Sequence, residues 1–415
     1  MRVLWVKMGG LWPLNTGGRQ RSCQLLRELS RRHQVVVVTT DGPAEDPDGL
    51  AGFLPDCEQT ISVPFSAPKR GSVRFLATLA RSWASPLPVD LWKWRCRALE
   101  QQIDRVLAHG RFDVVIADFM AAVPNVPPGR APVVYFAHNV EHLIWKRLAT
   151  VETRWWRRAL LEIEWRKMRR AEARACRDAR LTIAVSEDDG RRLLETAPGA
   201  NVVPMPTGVD VDYFRPVPDA EVPGRLVFSG SMDWYPNEDA ILHFIDTMLP
   251  AIRRQRPGVT LTVIGRNPSD RMRAAAAAAG GVHVTGTVDD VRPHVAEGAV
   301  YIVPLRVGGG TRLKIFEALA MGKPVVSTTV GAEGLDVEPG RHAVLADGPE
   351  AFSDAVVELL DDGARRARIG AAGRALVEER YSWPQVARVF EAHLLQTHER
   401  HGLRIVRAER RLAVS

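Results

Sequence analysis

The chain has 415 residues, of which 46% are hydrophobic and 25% are charged, and its formal net charge is +7 at pH 7. This composition is typical of a globular protein with room for two to three domains, and it excludes a disordered chain. The apolar run before Lys7 is too short for a signal peptide, and no stretch is long enough to span a bilayer, so any membrane contact is expected to be peripheral.

The cysteines are widely separated along the chain, at Cys23, Cys57, Cys96 and Cys176. They form no C-x-x-C pair, so neither a zinc ribbon nor a disulfide framework is predicted. A reducing compartment fits this pattern best, and the protein is therefore expected in the cytoplasm.

The N-terminal half begins with the order strand, glycine-rich loop, helix, strand. These elements are predicted at Val3–Val6, Gly9–Gly18, Gln20–Arg31 and Val35–Thr39. Further strands are predicted from short apolar runs at 114–117, 133–136 and 181–185. Buried strands that alternate with helical segments are typical of a parallel, doubly wound sheet.

Gly17 and Gly18 close the first glycine-rich loop. We expect them to let the backbone approach a donor phosphate or an acceptor, because glycine has no side chain to block a ligand. The alternative is a tight turn without a ligand.

His138 follows the predicted strand at 133–136, in the sequence Phe-Ala-His-Asn-Val-Glu-His. A histidine just beyond a buried strand is suited to a polar contact with a substrate or to proton transfer. The alternative is a structural histidine whose hydrogen bonds are made within the protein. We predict the functional role.

One segment carries the whole excess of positive charge. Between Lys146 and Arg180 there are twelve Lys and Arg residues against five Asp and Glu residues, together with Trp155, Trp156 and Trp165. Basic side chains interleaved with tryptophan are typical of a surface that binds anionic lipid at the inner face of the membrane. The alternative is an ordinary amphipathic helix whose apolar residues pack on a sheet and whose arginines face water. Nucleic acid is not expected as a partner, because no nucleic-acid-binding motif is present.

The second half repeats the order of the first. A strand is predicted at Leu226–Phe228, a loop at Ser229–Pro236, a helix at Asn237–Arg254 with Asn237 as N-cap, and strands at 260–264, 300–303 and 325–327. Five prolines between Pro204 and Pro223 are typical of a linker and predict a boundary near 207–222. The sequence thus predicts two doubly wound α/β domains that face each other, with ligands in the cleft between them.

The run from Val307 to Gly322 reads V-G-G-G-T-R-L-K-I-F-E-A-L-A-M-G and is the most informative stretch of the chain. It predicts a loop between the strand at 300–303 and a helix with Thr311 as N-cap and Gly322 at its C-terminal end. Free N–H groups and two cations of the first turn, Arg312 and Lys314, suit a phosphate or diphosphate. Since neither a P-loop nor a G-x-G-x-x-G motif occurs, a nucleotide is expected to bind by another geometry.

Several motifs together resemble glycosyltransferase family 4, the large retaining family with the GT-B fold. The C-terminal motifs are 201–204, 207–210, 226–231, Gly286 with 289–290, and 308–322; the N-terminal ones are 17–18, 138–141 and 185–187. The resemblance implies an acceptor-binding Rossmann-like domain at 1–207 and a nucleotide-sugar-binding Rossmann-like domain at 208–384. A helical segment at 385–415 is expected to follow and to cross back to the first domain.

The resemblance also implies roles for single residues. Glu317 would hold the ribose hydroxyls, His138 would face the sugar, and Arg312 and Lys314 would act on the leaving diphosphate. Backbone contacts to the substrate are implied for Gly230, Gly309, Gly310 and Thr311. The chain departs from the family pattern in two places, because Gly309 stands where a first glutamate is usual and Ser231 stands where an arginine is usual.

These features predict a retaining glycosyltransferase that moves a sugar from a nucleotide-diphosphate donor to a hydroxyl of a glycan or lipid-linked acceptor. Its products would be cell-surface polysaccharides or glycoconjugates. No metal and no cofactor are expected, because cations and helix ends would stabilise the leaving group. Two alternatives remain open: a catalytically silent sugar-nucleotide-binding subunit, and a GT-B sugar-nucleotide epimerase.

Overall fold

The structure is a computed structural model, and it describes residues 1–14, 16–42, 47–69, 71–307 and 313–412. The chain divides into two compact units. Unit 1 comprises Met1–Pro206 and Val386–Ser415, and unit 2 comprises Thr207–Gln385.

Unit 1 is built around a seven-stranded sheet in the order β3-β2-β1-β4-β5-β6-β7, in which every pairing is parallel. Its strands are β1 Arg2–Lys7, β2 Gln34–Asp41, β3 Gln59–Pro64, β4 Val114–Asp118, β5 Val133–Ala137, β6 Leu181–Ala184 and β7 Val202–Pro204. Its helices are α1 Gly17–Ser30, α2 Pro47–Phe53, α3 Val73–Trp83, α4 Val89–Lys93, α5 Arg97–His109, α6 Glu141–Val151, α7 Trp155–Asp178 and α8 Glu187–Thr196, with a 3-10 turn at Val123–Asn125.

Unit 2 has a six-stranded parallel sheet in the order β10-β9-β8-β11-β12-β13. Its strands are β8 Arg225–Ser229, β9 Thr260–Ile264, β10 Val282–Val284, β11 Val300–Val303, β12 Val325–Ser327 and β13 Val344–Leu345. Its helices are α9 Tyr235–His243, α10 Leu249–Gln255, α11 Asp270–Ala279, α12 Arg292–Ala296, α13 Leu313–Ala320, α14 Pro349–Asp361 and α15 Gly363–Leu376, with π-helical segments at Phe244–Met248 and Val377–Tyr381. The last helix, α16, runs from Trp383 to Leu412.

The central strands form because their residues are apolar and mostly β-branched, and because both faces of each sheet are covered by helices. Leu4, Trp5 and Val6 of β1 are fully buried, as are Val300 and Ile302 of β11. Such two-sided burial is expected of parallel strands and requires near-continuous apolar runs. The structure therefore confirms the predicted α/β class and its two doubly wound Rossmann-like units.

The helix predicted at 237–254 has a different beginning in the structure. Helical residues begin at Tyr235, with Trp234 as N-cap, and Pro236 lies in the first turn. The prediction that Asn237 is the N-cap is therefore wrong. Proline is favoured in a first helical turn because it has no N–H to leave unpaired, and the side chain of Asn237 is engaged elsewhere.

The structure confirms the glycine predicted at the C-terminal end of α13. Gly322 has a φ of 68°, and the N–H of Lys323 donates to the carbonyl of Ala318 at 3.0 Å. Helices commonly end at a residue with a left-handed backbone conformation. Glycine adopts this conformation without a steric penalty.

Candidate functional site

Each sheet has one point at which the strand order reverses, and polar side chains gather there. In unit 2 this point lies between β8 and β11. Open α/β sheets bind ligands beyond the carboxyl ends of the strands at such a point. The loop after β8 and the helix α13, which follows β11, are therefore the elements to inspect.

Gly230 follows β8, and its surroundings leave no room for a side chain. A Cβ at Gly230 would lie 2.6 Å from Nζ of Lys314 and 2.8 Å from Nδ2 of Asn237. A Cβ at Gly265, after β9, would lie 1.8 Å from the carbonyl oxygen of Gly230. The two glycines thus let the loops after β8 and β9 touch, and they bring the Gly230 backbone next to an ammonium group.

Contacts with Asn237 and Phe228 help to hold Lys314 in a defined position. Its Nζ donates to Oδ1 of Asn237 at 2.7 Å and lies 4.2 Å from the centre of the Phe228 ring. The amide of Asn237 is itself oriented, because Nδ2 donates to the carbonyl of Ser231 at 2.8 Å. The predicted cation therefore lies beside the predicted glycine, and Asn237 is a residue of this cluster that the sequence analysis assigned to a cap.

Glu317 lies one turn after Lys314 on the same helix and is half-buried. Burial raises the pKa of its carboxyl to about 7, and the nearby Lys314 ammonium opposes that shift. Within the described residues, the carboxylate accepts no hydrogen bond. A carboxylate with unfilled acceptor capacity next to a cation is suited to binding two hydroxyl groups.

Arg266 is a cation that the sequence analysis missed. Its Nε donates to Oγ of Ser231 at 2.7 Å and lies 3.8 Å from Oδ2 of Asp233. Ser231 stands where the family has an arginine, so Arg266 brings a guanidinium from the neighbouring loop to that position. No sequence motif predicts the contact between Arg266 and Ser231, because it depends on the packing of Gly265 against Gly230.

Four predicted site residues lie outside the described part of the chain. These are Gly309, Gly310, Thr311 and Arg312. Their roles stay predictions.

In unit 1 the strand order reverses between β1 and β4, and their last residues, Lys7 and Asp118, are direct partners in register. Nζ of Lys7 lies 3.1 Å from Oδ2 of Asp118, and both side chains are almost fully buried. Oδ2 of Asp118 also accepts from Nε1 of Trp5 at 2.9 Å. Burial alone would raise the pKa of Asp118, but Lys7 and His138 outweigh it and hold that pKa below its usual range.

His138 belongs to this buried cluster, with both ring nitrogens bonded to the protein. Nη1 of Arg21 lies 2.9 Å from Nδ1, and Oδ1 of Asp118 lies 2.7 Å from Nε2. An arginine can only donate, so Nδ1 is the acceptor and Nε2 carries the proton donated to Asp118. Burial lowers the pKa of His138 to about 3, with Asp118 opposing that shift and Arg21 adding to it.

This arrangement is that of a structural histidine, which the sequence analysis kept as the alternative. The ring also stacks on Phe119, with centroids 3.7 Å apart. A contact between His138 and the sugar stays a prediction. For a ring nitrogen to bind the sugar, the hydrogen bond to Arg21 or the one to Asp118 would have to be replaced by a hydrogen bond to the sugar.

Gly17 and Gly18 are the first residues of α1, where a loop was predicted, and Thr16 is the N-cap. A Cβ at Gly18 would lie 2.7 Å from Cζ of Phe119. The absence of a side chain at Gly18 thus lets α1 begin directly above the Phe119 ring. Free N–H groups at the start of a helix suit an anion, so the predicted ligand contact is compatible with this position.

The basic segment at 146–180 forms most of the helical pair α6 and α7. Its apolar side chains differ in exposure between the first half and the second half of α7. Met168 and Ala175 are buried, as the packing interpretation predicts, whereas Trp155 and Ile163 are 81% and 52% exposed. Lys167 is buried, and its Nζ donates to the carbonyl of Ser82 at 2.7 Å. The lipid-binding surface predicted for 146–180 therefore does not include Lys167.

The described residues contain neither a membrane-spanning helix nor a cluster of metal-ligating side chains. No helix there is long and apolar enough to cross a membrane. In the same residues, histidine, cysteine and carboxylate side chains form no group of three or more that is able to hold a metal ion.

Comparisons with known proteins agree with the fold and the motifs. The model of "Glycosyltransferase Family 4" matches residues 16–213, and the model of "Glycosyl transferases group 1" matches residues 223–362. The chain is 31% identical over 214 residues to a GDP-mannose-dependent alpha-(1-6)-phosphatidylinositol monomannoside mannosyltransferase of Mycobacterium tuberculosis, covering 46% of this chain and 54% of the relative. It is 32% identical over 226 residues to the phosphatidyl-myo-inositol mannosyltransferase of the same species, covering 50% and 58%. The chain thus spans little more than half the length of these relatives.

Solved structures resemble the whole chain at low identity. Sucrose-phosphate synthase from Thermosynechococcus elongatus has a TM-score of 0.67 at 17% identity, over 95% of this chain and 98% of its own. Anabaena HepE, solved with UDP and glucose, has a TM-score of 0.62 at 15% identity, over 95% and 100%. These neighbours establish the GT-B fold. With two successive family models matching the two units, the chain belongs to glycosyltransferase family 4.

Proposed function

We propose that this protein is a retaining glycosyltransferase that transfers a sugar from a nucleotide-diphosphate donor to a hydroxyl of a lipid-linked acceptor. The observation that carries the proposal is the cluster at the strand-order reversal of unit 2. There Lys314 lies beside the Gly230 backbone, and the Glu317 carboxylate follows one helical turn later. A cation and a carboxylate at this spacing suit a diphosphate and a ribose, respectively.

In this proposal, unit 2 binds the donor at two groups, the ribose and the diphosphate. Glu317 accepts hydrogen bonds from the two ribose hydroxyls. Lys314, fixed by Asn237 and Phe228, lies where the diphosphate passes the Gly230 loop. Arg266 adds a second described cation at the neighbouring position, next to Ser231.

The chemical step places negative charge on the departing β-phosphate. The bond between the anomeric carbon and the phosphate oxygen breaks, and the acceptor oxygen bonds to that carbon on the same face. The acceptor hydroxyl loses its proton to the departing diphosphate. Preorganised cations stabilise the developing charge more in this step than in the bound donor, so Lys314 acts mainly on turnover. Arg312 is assigned the same role from the sequence.

The donor we propose is GDP-mannose, because the relatives from Mycobacterium tuberculosis are described as mannosyltransferases, one of them as GDP-mannose-dependent. Their names also describe phosphatidylinositol-type acceptors, which supports a lipid-linked acceptor for this chain. HepE was solved with UDP and glucose, so UDP-glucose is the first competing donor to test.

We further propose that unit 1 docks on anionic membrane through the exposed ends of α3 and α7. The exposed apolar residues are Val73, Leu76, Trp83, Trp155, Trp156, Leu160 and Ile163. The hydrogen bond from Lys167 to Ser82 joins the middle of α7 to the end of α3. The exposed apolar residues of α3 and those of α7 therefore lie on neighbouring helices. Exposed apolar patches flanked by cations are typical of peripheral membrane contact.

The proposal is tested first by donor binding. Thermal stabilisation of the full chain is measured with GDP-mannose, UDP-glucose, and the free nucleotides. A ligand at 100 times its dissociation constant stabilises the protein by about 2.7 kcal/mol, which is readily detected. Lys314→Ala is compared with Arg273→Ala, a control that removes an exposed cation of the same unit.

Each outcome separates one class of function from the others. Transfer to a lipid acceptor that Lys314→Ala depresses and Arg273→Ala leaves intact supports the proposal. Isomerised sugar nucleotide formed without acceptor identifies an epimerase. Tight donor binding without turnover on any lipid identifies a silent subunit, and no stabilisation by any sugar nucleotide contradicts the donor site itself.

A further inference from the structure

Two central strands of unit 2, β8 and β11, separate at the point where the strand order reverses. The pairing of β8 with β11 ends at Val227 and Tyr301. On the other side of β8, the pairing with β9 continues as far as Ser229 and Ile264. Ser229, the last residue of β8, therefore has a strand neighbour on one side only.

The side chain of Tyr301 supplies a hydrogen bond on the side where the strand neighbour is missing. The N–H of Ser229 donates to the hydroxyl oxygen of Tyr301 at 3.2 Å, and the hydroxyl oxygens of the two residues are 2.6 Å apart. Buried N–H groups are nearly always paired, and here a side chain replaces the backbone partner. The N–H of the next residue, Gly230, donates to the carbonyl of Ile264 at 2.8 Å. The backbone at 229–230 is thus held from both sides.

Tyr301 is a fixed point in the core of unit 2. Its side chain is 1% exposed and belongs to the apolar cluster that contains Phe316 of α13. Burial raises the pKa of its hydroxyl well above the usual value, the hydrogen bond with Ser229 opposes that shift, and the nearby Glu317 carboxylate adds to it. The hydroxyl is therefore neutral at physiological pH and acts through hydrogen bonds.

The loop that begins at Gly230 has a donor without an acceptor. The N–H of Ser231 makes no hydrogen bond within the described residues. The ammonium group of Lys314 lies beside the Gly230 backbone, as described above. A free N–H group next to a cation suits a phosphate oxygen.

We propose that Tyr301 is a positioning residue for the leaving group: its hydroxyl holds Ser229, and the backbone at 230–231 and Lys314 then present fixed donors to the departing diphosphate. Tyr301 acts through Ser229 and does not touch the donor. The word departing rests on the proposed function, whereas the positioning of a diphosphate-binding loop does not. Fixed donors need no reorganisation when charge develops, and a displacement of about 1 Å can lower a rate about 100-fold.

The test removes the hydroxyl of Tyr301 and keeps its ring. Tyr301→Phe should lower kcat about 10- to 100-fold and change the donor KM much less, because the loop acts mainly on the charge of the leaving group. The released nucleoside diphosphate carries that charge in full, so its affinity should fall about tenfold. Isothermal titration of the full chain with GDP and with UDP measures this affinity without turnover.

Two control variants separate positioning from stability. Tyr135→Phe removes the hydroxyl of another buried tyrosine, in unit 1, whose oxygen makes no hydrogen bond within the described residues. Ile252→Val removes a methyl group from the core of unit 2 and should lower the Tm. Both should keep wild-type kcat and nucleotide affinity at a temperature at which all variants are folded. A purely structural role of Tyr301 would change the Tm alone, as in Ile252→Val.

Ser229→Ala tests whether Tyr301 acts through Ser229. This change breaks the bond between the two hydroxyl groups and keeps the N–H donor, so it should lower kcat less than Tyr301→Phe does. The double variant should have the kcat of Tyr301→Phe, because that hydroxyl pair is already broken. Losses that multiply would show independent action and contradict the proposal. If Tyr301→Phe fails to fold, wild-type kcat and nucleotide affinity in Ser229→Ala would contradict it.

The remaining outcomes separate this proposal from the proposed function. Wild-type kcat and nucleotide affinity in Tyr301→Phe, or an equal loss of kcat in Ile252→Val, would overturn the positioning role and leave the transferase intact. A wild type that transfers no sugar, and whose nucleotide affinity depends on Tyr301, would retain the positioning role and reject the proposed function. A wild type that binds neither GDP nor UDP would overturn both.

Discussion

Glu317→Gln is the most informative single change, because it should raise stability and lower donor binding together. Burial raises the pKa of Glu317 from 4.5 to about 7. Above pH 7 the carboxylate is therefore charged in an environment that disfavours charge. Below pH 4.5 the group is protonated in both the folded and unfolded states, and the cost disappears.

The magnitude follows from the size of the shift. A rise of the pKa from 4.5 to about 7 corresponds to about 3.4 kcal/mol at most, since one unit is about 1.4 kcal/mol. In a unit of about 150 to 250 residues, 1 kcal/mol moves the melting temperature by about 2 to 4 °C. Glu317→Gln should thus raise the melting temperature of unit 2 at pH 8 by up to about 7 to 14 °C and leave it unchanged at pH 4.

The same variant should bind the donor less well. Loss of charged hydrogen bonds to two ribose hydroxyls weakens binding by about 1.5 to 3 kcal/mol, or about 10- to 100-fold. Differential scanning calorimetry at both pH values gives the stability, and isothermal titration with GDP-mannose gives the affinity. Glu333→Gln, which changes an exposed glutamate of the same unit, is the control.

A melting temperature at pH 8 that is equal to or below that of the wild type would refute the reasoning on the buried charge. Unchanged donor affinity would refute the assignment of the ribose to Glu317. The two results are independent, so either part can fail alone.

The remaining predictions concern the cations. Lys314→Ala should reduce kcat more than donor affinity, by about 100- to 1,000-fold if it stabilises the leaving group as one oxyanion donor does; equal effects on both would contradict that role. Arg266→Ala should weaken donor binding or turnover about tenfold, measured beside Arg273→Ala, and a variant with wild-type kinetics would make Arg266 a loop tether only. Activity should survive excess EDTA, because fixed cations supply the charge that a metal would provide, and restoration by added Mg²⁺ after loss would contradict this. Reversal of Arg157 and Arg158 to Glu should abolish co-sedimentation with anionic vesicles at unchanged GDP-mannose affinity, since each cation near the surface contributes about 1 kcal/mol.

The sequence predicted the central strands and the two-unit architecture because those features depend on local patterns. The run at 300–303 is apolar and β-branched, and it forms a buried central strand as predicted. The two edge strands of unit 2 were missed because they are short or interrupted. β13 has only two residues, and the polar His283 lies in the middle of β10.

Long-range contacts account for most of what the sequence analysis missed at the site. His138 gains its partners from Arg21, 117 residues away, and from Asp118, so its buried, neutral state has no local signature. Lys167 belongs to a basic run, yet its bond to Ser82 buries it. The error at Asn237 was avoidable, because Pro236 signalled a first helical turn.

The measurement that tests the central claim most directly is a product analysis with GDP-mannose and phosphatidylinositol-type lipid. Mass spectrometry counts mannosylated lipid and released GDP, and NMR gives the anomeric configuration of the product. The account predicts equal amounts of GDP and mannosylated lipid, with the α configuration of the donor retained and with the yield strongly reduced in Lys314→Ala. An inverted anomeric configuration, or GDP-mannose that returns intact or isomerised in the presence of lipid, would contradict it.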